Sequence, residues 1–310
     1  MRVQVSAPSR LHLGILSDGH MPRPWQGMGL AIKEPRTTLY AETSDMVGLR
    51  LVGDFSEDIA TALSSFYSDM KMNLGVVIEL FEHPPRHVGL GSGTQIILSA
   101  ATAMSRLAGV ELAIDEIALR TNRGKYSWIG VEAFNAGGFI VSLGRGRNQQ
   151  KQPALRLNFP EDWPIVILIP DSREGLSGQE EEHALWQVRY SDQTTMNIHT
   201  CLVNEVIPGI LEHDIELFGK GVESIQRMVG SEFSSIQGGT YNRASEILVE
   251  LMRSEGLLGV GQSSWGPAVY GFTERCEDAI RVISKAKDLS PGIKAYLTAA
   301  DNQGARVIYS

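Results

Sequence analysis

Cysteine is nearly missing from this chain of 310 residues: Cys201 and Cys276 are the only two. They stand far apart with no CxxC or Cys/His spacing, which fits a reducing compartment, excludes a structural zinc site and leaves both as packing residues. The seven histidines form no HExxH, so no transition-metal site is expected. Positive charge is scarce too. A net charge of -8 and a pI near 5.4 argue against a broad electrostatic grip on nucleic acid or anionic membrane, while leaving room for a small basic pocket. No long apolar run exists either. A long uncharged stretch, Val88 to Ser105, is broken by Gly, Ser, Thr and Gln and is too polar for a membrane span. "MRVQVSAPSR" lacks the apolar core of an export signal. These absences predict a cytoplasmic protein that binds small molecules, with neither nucleic acid nor membrane as partner.

What is present is an ordinary globular composition, 43% hydrophobic and 21% charged, in a chain long enough for two domains. "VQVSAP" and "RLHLGIL" alternate as half-buried strands do, and "VVIELFEH" reads as another strand that stops at Pro84 and Pro85. "GGFIVSL" is strand-like, and the Gly, Arg, Asn and Gln-rich "GRGRNQQKQP" after it reads as a hairpin loop or boundary. "PIVILIP" is a short buried strand. Downstream, amphipathic patterns cover roughly Thr194 to Met228 and Asn242 to Ser254. "AVYGF" then gives a strand, "CEDAIRVISKAK" a helix and "ARVIYS" a final strand. The expected class is α+β, divided near residue 160 into domains 1–160 and 161–310. No internal repeat is visible.

The stretch "HVGLGSGTQIILSAATAMSRLAG" carries the chemistry. Glycines 89, 91 and 93 permit a tight turn and close approach of a ligand. Ile96, Ile97, Ala100, Met104 and Leu107 then recur at helical spacing, with Gly109 at the stop. A glycine turn that feeds a helix N-terminus presents unpaired amides and the positive end of the helix dipole, a combination that binds phosphate. Gly89, Gly91, Ser92, Gly93 and Thr94 are the expected phosphate-binding set. The plain alternative is a tight strand-to-helix turn. No GK[ST] follows and no GxGxxG stands after the first strand, so it is neither a P-loop nor a dinucleotide fingerprint. The acidic run Glu180, Glu181 and Glu182 reads as a solvated helix face.

Three ordered stretches, "SAPSRLHLGILSDGH", "PRHVGLGSGTQ" and "GVGQSSWGPAVYGF", resemble the motifs of the GHMP superfamily, whose kinases carry a PxxxGLGSSA loop. Pro85, Gly89, Leu90, Gly91 and Ser92 match it; Gly93 stands where the kinases have a second serine. The kinases' mid-chain Asp base is also missing, and Glu132 is the only acid nearby. "SRLHLGILSD", "GMGLAI", "GLGSGTQ", "SWIGVEAFNAGGFIV", "IPDSREGLSGQEEE" and "GQSSWGPAVYGF" resemble, in order, the segments of the β-ribofuranosylaminobenzene 5'-phosphate synthase branch, which serves methanopterin biosynthesis. The resemblance implies a ribosomal-S5 domain-2-like N-terminal domain and a ferredoxin-like C-terminal domain, with the site between them. It also implies a decarboxylating transfer of the phosphoribosyl group from phosphoribosyl pyrophosphate to 4-aminobenzoate, or to 4-hydroxybenzoate, releasing carbon dioxide and pyrophosphate.

On that resemblance the glycine loop grips pyrophosphate rather than ATP, with Mg2+ as its counter-ion and no metal ligands assigned. Arg23 is the candidate for the benzoate carboxylate, through its bidentate fork, and Asp18 for the amino group or the cationic sugar. Arg10 and His12, alternating on one strand face, are placed at the 5'-phosphate or benzoate; His12 reads equally as a structural histidine. Gln262, Ser263 and Ser264 offer hydrogen bonds and Trp265 an aromatic wall. A homodimer is expected from the family. Two rival functions remain open from sequence: an ATP-dependent GHMP small-molecule kinase, and a non-catalytic nucleotide-binding regulator.

Overall fold

The computed structural model describes residues 2–146, 151–171, 175 and 178–309. Residues 147–150 of the Gly/Arg-rich stretch, and 172–174, 176 and 177 of "IPDSREGLSGQEEE", lie outside the described residues. The two alternating runs at the start are one long strand, β1 (Arg2–Ile15), which pairs antiparallel with β2 (Gly27–Ser44). Register shifts occur between Pro8 and Ser9 and between His12 and Gly14. They bracket Arg10 and His12, where extra local twist re-aims side chains. The expected strand before Pro84 is β4 (Gly75–Glu82), which lies between β2 and the parallel β3 (Gly48–Val52). β5 (Phe139–Ser142) and β6 (Ala154–Leu157) extend the sheet from the other half of β2.

Four helices belong to this layer: α1 (Glu57–Asp69), α2 (Ser92–Leu107), α3 (Ile114–Arg120) and α4 (Ile129–Asn135). In α2 the apolar positions read from the sequence are all buried. Its alanines and serines are buried as well, so the helix lies inside the layer with a core of Val3, Val5, Leu39, Ile78 and Phe66 around it.

β7 (Ile165–Ile169), the predicted "PIVILIP" strand, is fully buried and starts a second sheet. Its helices are α5 (Gly178–Gln187), α6 (Asp192–Cys201), α7 (Ile207–Leu211), α8 (Ile215–Gln237), α9 (Arg243–Ser254) and α10 (Cys276–Leu289). Its other strands are β8 (Leu258–Gln262), β9 (Val269–Phe272) and β10 (Lys294–Thr298), in the order β10-β7-β9-β8. The continuous amphipathic pattern expected from Thr194 to Met228 is in fact interrupted. α6 passes through a π-helical turn at Leu202–Val206 into α7, and the chain then turns before Asp214, whose carboxylate accepts from Leu217 N (2.9 Å) and restarts the helix as α8. A side-chain cap is a stronger boundary than hydrophobic period.

The final strand, β11 (Arg306–Tyr309), returns to the first sheet and pairs with Val3–Ser6 of β1. Asp301 fastens this return. It is buried, bonds to Arg36 Nη1 at 2.6 Å, and accepts from the Gln303 and Gly304 amides. Burial alone would raise its pKa; Arg36 and the amides hold it below the usual carboxylate value. Another core, of Leu11, Leu13, Met28, Ile167, Phe218 and Phe272, joins the two sheets. The class is α+β, as expected. Cys201 is half-buried, but Cys276 is exposed as the first residue of α10, so it is not the packing residue that sequence suggested.

Candidate active site

Four consecutive carbonyls just before α2 are tied back into the protein. His87 O accepts from Gly175 N (2.7 Å), Val88 O from Ala268 N (3.1 Å), and Leu90 O from Arg10 N (3.1 Å). Gly89 O takes two bonds of 2.6 Å, from Arg10 Nη1 and from Ser263 Oγ. Gly91 caps α2 in the left-handed region (φ 76°), and no side chain caps the helix. The amides of its first turn are therefore left for a ligand, and no acidic residue competes there. At Gly89 (φ 90°) a Cβ would collide with the Ser263 carbonyl, so the residue is required for both conformation and space. Nothing lies within 4 Å of a Cβ built at Gly93.

The loop forms one wall of a cleft of about 1610 Å³, open mouth included, which also takes in Arg10, Thr94, Arg123, Lys125, Glu181 and Trp265. All five expected phosphate-binding residues line it. Arg10 lies beneath the loop; burial lowers its pKa to about 10, and Glu181 opposes that fall. Glu181 is the residue sequence misread. α5 points Glu180 to solvent and pairs Glu182 with Lys125 (2.8 Å), yet turns Glu181 into the cleft. Burial raises the Glu181 pKa, against the pull of Arg10, a hydrogen bond from Trp265 and the nearby His87. Which face of α5 meets the cleft is set by tertiary packing, so three adjacent acids gave no local signal.

A second, narrower cavity of about 440 Å³, mouth included, adjoins the cleft through Ser264 and Trp265, which line both. Phe233, Tyr241 and Trp265 give it aromatic walls; Gln226, Gln237 and Gln262 add amides, and His12 one imidazole. Among the described residues, no Lys or Arg lines it. His12 is 7% exposed. Burial, then the Arg10 charge, lowers its pKa to about 3, which fixes it as a neutral acceptor and donor.

The third motif is mainly a brace between these spaces. Ser263 Oγ accepts from His12 N (2.9 Å) while it donates to Gly89 O, so its one proton is committed. Gln262 donates to Ser264 O (3.0 Å) and accepts from Asn242 N (2.7 Å).

Asp18 and Arg23 are not among the residues that line either space. The buried Asp18 carboxylate accepts from His20 N (2.7 Å) and Tyr190 N (2.5 Å). Arg23 is exposed and donates to Leu143 O (2.8 Å) and Gly144 O (3.3 Å). Together they clamp the loop between β1 and β2 to segments more than a hundred residues away. Glu132, on α4, bonds locally to Trp128 Nε1 (3.2 Å) and does not line the cleft.

Family profiles described as GHMP kinases N terminal domain and GHMP kinases C terminal match residues 57–132 and 206–305. Among solved structures, homoserine kinase from Cytophaga hutchinsonii superposes with a TM-score of 0.74 at 17% identity, over 99% of this chain and 97% of that one, which establishes the fold. Curated relatives named β-ribofuranosylphenol 5'-phosphate synthase are 31% identical in Methanothermobacter thermautotrophicus, over 98% of both chains, and 31% identical in Archaeoglobus fulgidus, over 88% of both. On this near-full-length similarity, and with the kinase loop's second serine replaced by Gly93, the chain belongs to the β-ribofuranosylphenol 5'-phosphate synthase family, an enzyme family built on the GHMP kinase fold.

Proposed function

We propose that this enzyme joins the phosphoribosyl group of phosphoribosyl pyrophosphate to the carboxylate-bearing carbon of a 4-substituted benzoate. The observation that supports this most is the junction at Ser264 and Trp265, where a cleft walled by the glycine loop meets an aromatic cavity with no Lys or Arg among the described residues of its lining. The names of the relatives favour 4-hydroxybenzoate over 4-aminobenzoate as acceptor.

The C1–O bond of the donor breaks and its electron pair leaves with pyrophosphate. The Ser92, Gly93 and Thr94 amides, with Arg10 beneath, meet the charge that develops there. The ring carbon para to the hydroxyl attacks C1; the pair of the C–CO2 bond then returns to the ring as carbon dioxide departs. Neutral His12 accepts a hydrogen bond from the phenol and so raises electron density at the attacking carbon. Aromatic walls hold the ring, and the described residues of the cavity bring no cation that would stabilise the carboxylate against loss. In this scheme Asp18 and Arg23 are positioning residues for the loop beneath α5.

The donor set suits magnesium delivered with pyrophosphate. No group of three or more His, Cys, Asp or Glu side chains gathers among the described residues, but Mg2+ commonly takes one or two carboxylates plus substrate phosphates. Glu181 and the Ser92 hydroxyl would hold it, and it would neutralise the leaving group's charge. ATP has no part in this scheme. Carboxyl-labelled 4-hydroxybenzoate, incubated with phosphoribosyl pyrophosphate and Mg2+, should release labelled carbon dioxide without ATP. ATP consumption with an alcohol acceptor, and no label release, would return the chain to the kinases.

A further inference from the structure

Among the cations of the cleft, Arg10 bonds to Gly89 O, Arg86 pairs with Asp54 (3.3 Å) and Lys125 pairs with Glu182. Arg123 differs. Among the described residues its guanidinium has neither a hydrogen bond nor an ion pair, and its Nε is buried without a partner. Burial lowers its pKa, opposed only by Asp58, which stands beyond ion-pair distance. An uncompensated guanidinium costs stability, yet the backbone is built to keep it there. Arg123 N donates to Ala118 O (2.7 Å), closing the turn after α3. The flanking Asn122 and Gly124 both have positive φ (54° and 80°).

We propose that Arg123 anchors the 5'-phosphate of the donor. This rests on the assignment of pyrophosphate to the glycine loop. C1 carries the pyrophosphate and must face the acceptor cavity, which opens beside the loop at Ser264. The 5'-phosphate hangs from the far side of the furanose ring and needs a counter-charge of its own. Arg123 stands with Asp58 of α1, on the N-terminal side of the cleft, and a planar fork matches two phosphate oxygens. It makes or breaks no bond; by fixing one end of the sugar it orients C1.

The test is calorimetric titration of the full chain with ribose 5-phosphate and, separately, with inorganic pyrophosphate. Arg123→Gln should weaken ribose 5-phosphate binding roughly 10- to 100-fold and leave pyrophosphate binding unchanged. Arg123→Lys, which keeps the charge and loses the fork, should fall between. Without ligand, the melting temperature of Arg123→Gln should stay level or rise. Unchanged ribose 5-phosphate affinity, no binding of it by the unaltered chain, or a loss that falls on pyrophosphate would each overturn the assignment. Neither titration needs acceptor or turnover, so failure of carbon dioxide release would sink the reaction and leave this result standing.

Discussion

The cleft is walled by backbone amides and cations, the cavity beside it by rings and side-chain amides, and the two treat charge in opposite ways. In the cleft, charges are opposed: the buried Arg10 faces Glu181, and at the exposed rim Lys125 holds Glu182. In the cavity the one strongly shifted group, His12, is driven neutral. One space is prepared to receive anions and the other to keep charge low. Under the proposed reaction, a leaving group that gathers charge and a carboxylate that loses it would therefore find different dielectric surroundings within one site.

The sharpest way to break that comparison is to disturb the loop and its brace, which stand between the two halves. Gly89→Ala meets left-handed backbone and the Ser263 carbonyl at once. Strain of at least about 3 kcal/mol should follow, read as a large drop in melting temperature together with loss of pyrophosphate binding and turnover. Ser263→Ala removes the brace instead. It leaves Gly89 O and His12 N each short of a partner, which should cost roughly 1–3 kcal/mol and raise KM for donor and acceptor alike. Val229→Phe fills the cavity alone. It should raise KM for the benzoate about tenfold or more with pyrophosphate affinity intact; equal loss of both would show that the two spaces are not separate.

The smallest effect at neutral pH concerns His12. Its folded pKa of about 3 lies below the ordinary 6.5, so the unfolded chain binds the extra proton first and stability falls as pH drops below 6.5. The contribution is complete above 6.5 and loses about 2 kcal/mol by pH 5. Melting curves at pH 7.5 and pH 5 should show His12→Gln losing less stability than the parent over that interval.

Sequence disclosed the parts of this site whose signal is local. "GLGSG" before a helical period is enough to place a glycine turn that feeds a helix N-terminus, because turn, cap and dipole all act within a few residues. β2 was not read, since its 18 residues include Gly27, Gly29 and Pro35 and break the alternation that strands need. Asp18 and Arg23 were recognised as loop residues, but their partners, Tyr190 N and the carbonyls of Leu143 and Gly144, lie 172, 120 and 121 residues away. Glu181 and Arg123 escaped for the same reason: each acquires meaning only when α5 and the turn after α3 converge on the loop.

The return of β11 to β1 has a consequence for how the enzyme comes into being. Val5 takes Val307 as its neighbour, a partner about 300 residues further on, in the very strand that carries Arg10 and His12. Contacts so distant in sequence form slowly, and until they form β1 keeps an open edge able to pair with other chains. The strand that bears the site is thus among the last to be sealed, and the nascent protein should be most prone to aggregation just before it becomes competent to bind.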